Sequence, residues 1–178
     1  MKRARIKIAL AVATAGVLGL GTVAMASDGG SEHETLTGYE EVPALSTPGV
    51  GEFRATISHS SDEIQYELTF SGLESNATQA HIHFENKTNN GPIVVFLCTN
   101  LGNGPAGTQA CPAAGGTITG TITPADVGAG AAGQGLAAGE FNEFVRAIRA
   151  GATYVNVHSV GRPTGEIRAQ LDDNNDDA

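Results

Sequence analysis

Chemistry in this chain falls to its histidines. There are five, His33, His59, His81, His83 and His158, and three of them lie inside stretches of strand character, Ala80-His81-Ile82-His83-Phe84 and Tyr154-Val155-Asn156-Val157-His158. Residues two apart in a strand project from the same face, about 6.6 Å apart at Cα. His81 and His83 therefore share a face while Ile82 turns to the core. Two imidazoles at that separation can converge on one metal ion with bonds of about 2.0 Å. His158 shares its face with Tyr154 and Asn156, and Val155 and Val157 supply the apolar one. If the two strands lie close, three nitrogen donors meet on one surface. Neutral imidazole binds copper, zinc and nickel, and affinity at a nitrogen site peaks at copper, so copper is the expected ion and zinc the second choice. The competing reading is that these are half-buried histidines hydrogen-bonded to their neighbours, with no metal. His33 and His59 are expected to be solvated.

Sulfur offers a rival set. Cys98 with two histidines would make a blue-copper ligand set. Cys111 stands thirteen positions on in a chain that is expected to meet an oxidising compartment, and a Cys98–Cys111 disulfide is the expected state. It would close a Gly/Asn/Pro loop with no packing pattern, contributing about 3 kcal/mol.

The elements that must position the histidines show a period of two. Phe53-Arg54-Ala55-Thr56-Ile57 alternates, as does Ile64-Gln65-Tyr66-Glu67-Leu68-Thr69-Phe70, with a polar hairpin tip between them. Ile93-Val94-Val95-Phe96-Leu97 is apolar on both faces and suits a central strand. Thr117 to Ile122 alternates again, and Arg162-Pro163-Thr164-Gly165 is a turn between the strand of His158 and a last strand ending at Leu171. Short strands spaced by turn signals predict an all-β fold, an antiparallel Greek-key sandwich or barrel. One segment departs from the pattern. Between Glu140 and Ala150, Phe141, Phe144, Val145 and Ile148 fall at helical spacing, with Arg146 and Arg149 late in the turn, which predicts one short helix. The glycine- and alanine-rich loop from Gly128 to Gly139 is expected to be mobile.

At the start, Lys2, Arg3, Arg5 and Lys7 precede an uncharged stretch that closes on Ala24-Met25-Ala26, the order of a secretory signal. The expected organisation is a signal over residues 1–26 cleaved near Ala26, a polar lead-in over 27–34, a β domain over 35–171 and an acidic disordered tail over 172–178. The expected location is periplasmic, extracellular or at the cell surface, with no stable membrane insertion after cleavage. Removing the four basic residues leaves six Lys and Arg against 19 Asp and Glu, a formal charge of −13. Such a field repels nucleic acid and favours cationic partners.

Little points to hydrolysis. There is no Gly-x-Ser-x-Gly elbow and no phosphate-binding glycine loop. Adjacent Glu40 and Glu41 are expected on opposite faces and form no acid/base pair. Glu166 and Arg168 share a face and are expected to form a surface ion pair.

Five segments together resemble the chordin-domain (CHRD) family. They are Leu36-Thr37-Gly38-Tyr39-Glu40-Glu41-Val42-Pro43, Ala80-His81-Ile82-His83, Asn90-Gly91-Pro92-Ile93-Val94, Tyr154-Val155-Asn156-Val157-His158-Ser159 and Pro163-Thr164-Gly165-Glu166-Ile167-Arg168-Ala169-Gln170-Leu171. The resemblance implies a β-sandwich module of exported proteins and no settled activity. A weaker likeness runs to copper/zinc superoxide dismutases, where a His-x-His strand and a later Val-x-His strand stand in the same order as His81, His83 and His158. The bridging histidine and the remaining zinc ligands of those enzymes are missing. The leading expectation is a secreted CHRD-type protein holding one copper ion for metal handling or electron transfer. The alternatives are a metal-free structural or adhesive module and a copper-dependent superoxide dismutase; no catalytic residue is assigned.

Overall fold

The structure is a computed structural model that describes residues 30–58 and 62–172. The expected signal over 1–26, His59 and most of the acidic tail lie outside the described residues.

Eight strands form one antiparallel sheet: β1 (Ser31–Thr37), β2 (Val50–Ser58), β3 (Glu63–Ser71), β4 (Ala77–Phe84), β5 (Ile93–Thr99), β6 (Gly116–Ile122), β7 (Thr153–Ser159) and β8 (Ile167–Leu171). Their order is β5-β4-β7-β8-β1-β2-β3-β6. The neighbours distant in sequence, β4 with β7, β8 with β1 and β3 with β6, are the Greek-key crossings that roll the sheet into a nearly closed barrel. Alternation drives the first wall. Phe53, Ala55 and Ile57 of β2 and Ile64, Tyr66, Leu68 and Phe70 of β3 point inward, and the residues between them face solvent. Each such large side chain removed from water contributes on the order of 1.5–3 kcal/mol.

Three local expectations change. β1 begins at Ser31, so the second half of the 27–34 lead-in is strand, paired to β2 from Ser31 opposite Thr56. β5 is apolar on both faces yet ends the hydrogen-bonded order instead of lying at its centre. Its apolar character has another cause: the segment 128–139 folds over it as a 3-10 turn (Ala129–Gln134) that buries Ala131 and Leu136. The Gly128 amide donates to the Val94 carbonyl at 2.9 Å. That segment, expected to be mobile, is packed into the apolar core. The expected helix is present as α1 (Phe141–Arg149), with Phe141, Phe144, Val145 and Ile148 buried.

The gap between β5 and β6 is bridged by one side chain. Gln109 Nε2 donates to the Leu97 carbonyl on β5 at 3.2 Å and to the Thr119 carbonyl on β6 at 3.1 Å. The Tyr66 hydroxyl, from β3, also donates to Leu97. Gln109 stands two residues before Cys111, whose sulfur lies 2.03 Å from that of Cys98, at disulfide distance. A link there anchors the loop that carries the bridging glutamine.

Candidate metal centre

The outer face of β4, β7 and β8 is covered, unlike that of β2 and β3. Every residue of β7 is buried. Register explains which side chains gather beneath the cover: His81 pairs with Asn156 and His83 with Tyr154 across β4 and β7, and Asn156 pairs with Arg168 on β8. His158 lies one pair further along the same face, opposite Gln79.

The three histidines expected to converge do so. His81, His83 and His158 each offer one nitrogen, and these atoms lie within 4.8 Å of one another. All three side chains are buried, His81 completely. His81 Nδ1 and His158 Nε2 are 3.3 Å apart, which is the separation of roughly 3.3 Å expected for two donors on a tetrahedral ion with bonds of about 2.0 Å. Burial holds His81 down to about 2 and His83 to about 4, with the neighbouring imidazoles adding to the effect, and burial likewise lowers His158. All three rings are therefore neutral at pH 7, the form in which imidazole can bind a metal.

Hydrogen bonds fix which nitrogens are free. His83 Nδ1 donates to the Gly91 carbonyl at 2.8 Å, and His158 Nδ1 donates to the Pro163 carbonyl at 3.1 Å. A carbonyl only accepts, so in both rings the lone pair is left on Nε2. In the absence of an ion, His81 Nδ1 donates to His158 Nε2, and Nε2 of His81 is the nitrogen without a proton. Nε2 of His81 and Nε2 of His83 are buried and have no hydrogen-bond partner. A buried polar atom left unpaired costs about 1–3 kcal/mol. A cation held by His83 Nε2, His158 Nε2 and His81 Nδ1 would give the buried His83 nitrogen its partner, and the donor set therefore fits a metal ion.

A supporting layer orients the three rings, as second partners do for the ligands of metal centres. The His83 ring stacks on Tyr154 with centroids 4.7 Å apart and planes 2° from parallel. Arg168 lies on the Tyr154 ring, 3.4 Å from its centroid. The Arg168 guanidinium is held by the Asn86 and Asn89 carbonyls and by Asn90 Oδ1. The Gly91 amide donates to the Tyr154 hydroxyl while its carbonyl receives His83. Gly91 has to be glycine: a Cβ there would come within 2.2 Å of the Phe84 carbonyl oxygen. His81 meets Phe96 of β5 edge to face at 4.4 Å.

Three members of this layer were not legible as such. Arg168 and Glu166 are fully buried and are not the expected surface ion pair. Arg168 serves the tyrosine stack, whereas Glu166 accepts from the Ser159 and Thr47 hydroxyls and the Glu74 amide. Glu41 is buried beside Asn156, and burial pushes its carboxyl up to about 7, against the pull of Arg168 and of hydrogen bonds from Asn156 and the Val42 amide. The Asn156 side-chain amide also lies 3.0 Å from His158 Nε2, so it sits between the carboxyl and the histidine group. His33 is exposed, near Glu52 of β2.

The fold and this covered face define a class, an antiparallel Greek-key barrel with a buried three-histidine group on one outer wall. Compared with known families, residues 33–171 match the CHRD domain, and the chain belongs to that family. No curated protein and no solved structure is matched by this chain. Among the described residues, no helix is long and apolar enough to cross a membrane.

Proposed function

We propose that this CHRD-domain protein is exported and binds one metal ion, copper before zinc, through His81, His83 and His158. The observation that carries the reading is the convergence of one nitrogen from each of three buried imidazoles within 4.8 Å, with His81 Nδ1 3.3 Å from His158 Nε2 and His83 Nε2 buried without a partner. The basic, apolar and small-residue order of residues 1–26 and the cysteine pair at bonding distance support export. The role favoured is metal handling or electron transfer. Isothermal titration of the purified chain with Cu(II) is expected to give one site, lost in His81→Ala/His83→Ala. Identical weak uptake by both proteins would leave a metal-free structural module as the reading. Superoxide dismutation, the enzymatic alternative, is decided by an assay of superoxide consumption on copper-loaded protein.

A further inference from the structure

We propose that the centre is built for the cuprous ion, Cu(I), in preference to Cu(II) or Zn(II). This inference rests on the metal reading above and adds the charge and coordination number of the ion.

Three observations carry it. The donor group holds three imidazoles and no carboxylate or thiolate, and it is the group found among the described residues with spacing fit for a metal. A divalent ion there would keep its full double charge, since imidazole donors carry none. The site is also dry. His81 is 0 %, His158 6 % and His83 7 % exposed. The cost of moving an ion out of water grows with the square of its charge, and for one charge it is already several kcal/mol. Finally, a guanidinium lies behind the ligands. Arg168 covers the face of Tyr154 at 3.4 Å, and the same ring stacks on His83. A fixed positive charge at this depth repels a second charge on the ion more than it repels the first. Glu41, the buried carboxyl nearby in the layer, is hydrogen-bonded to Asn156 and lies outside the ligand group.

Coordination number points the same way. Cu(II) favours tetragonal surroundings of nitrogen and oxygen donors, and zinc completes a tetrahedron with a fourth ligand. Cu(I) is satisfied by three nitrogens. The 3.3 Å spacing of His81 and His158 and the 4.8 Å limit across the group leave room for one ion among three donors.

The test is a set of competition titrations on the full chain at pH 7. Cu(I) is delivered without oxygen against a chromophoric Cu(I) chelator, and Zn(II) and Cu(II) are measured against chelators of known affinity. The expected result is one Cu(I) per chain, bound on the order of 100-fold more tightly than Zn(II). Zn(II) or Cu(II) binding as tightly as Cu(I) overturns this inference and leaves the metal reading standing. Failure of all three ions to bind overturns both.

Discussion

Strands β2 and β3 alternate buried and exposed residues almost from end to end, whereas β7 is buried at all of its positions and β8 at all but one. The two walls share an apolar inner face. They differ outside, where β2 and β3 present Glu52, Arg54, Gln65 and Glu67 to water and β4, β7 and β8 present His81, His83, Tyr154, Asn156, His158 and Arg168 to a cover of loops. A sheet needs one covered face to fold. A second covered face filled with polar groups adds little to a hydrophobic core and carries desolvation costs, which sets apart the wall on which the proposed metal centre lies.

Two arginines, one on each wall, sharpen the comparison. Arg168→Met removes a buried cation and leaves the Asn86 and Asn89 carbonyls without their donor. It is expected to lower unfolding free energy by about 3–5 kcal/mol, seen as an early midpoint in urea. A loss under about 1 kcal/mol would mean that the covered wall behaves like the open one.

The next effect is one of pH. Glu41 is raised from 4.5 to about 7 by burial, so its contribution to stability is complete below about 4.5 and is lost as pH rises through about 7. Glu41→Gln resembles the protonated carboxyl at every pH. Relative to the parent, this variant is expected to gain about 2–3 kcal/mol between pH 4.5 and pH 8, measured by urea unfolding at each pH. The histidines act in the opposite direction. With folded values of about 2 for His81 and about 4 for His83, they support the fold above about 6.5. That support falls away as pH drops toward those values. Glu41→Gln is therefore expected to show the steeper acid loss between about 6.5 and 4.5, and parallel curves would contradict the placement of Glu41.

The smallest effect belongs to the open wall. Arg54 lies on the outer face of β2, 3.1 Å from Glu52, with both side chains more than half exposed. Arg54→Ala is expected to change stability by less than about 1 kcal/mol, measured by the same urea titration. A larger change would erase the distinction between the walls.

The open wall could be read from the chain because its pattern is local. Phe53-Arg54-Ala55 and Tyr66-Glu67-Leu68 announce their faces by alternation alone. The His-x-His pair was legible for the same reason, and His158 through the valines on either side of Asn156. What escaped was the cover. Whether Arg168 and Glu166 face water depends on loops 78 or more residues away for Arg168, at Asn86, Asn89 and Asn90, and on Thr47, Glu74 and Ser159 for Glu166. Strand periodicity carries no information about such distant partners. Glu41 was missed because it sits just after a 3-10 turn (Gly38–Glu40), where the two-face rule of a strand does not apply. β5 was misplaced because two apolar faces signal a covered strand, and a turn covers an end strand as well as neighbouring strands cover a central one.

X-ray absorption at the copper edge of the loaded chain reads the ligands directly. Three imidazole nitrogens at about 2.0 Å, falling to two in His158→Ala, is the predicted outcome. A shell of oxygen donors, or one unchanged by that substitution, would contradict a three-histidine centre on the covered wall.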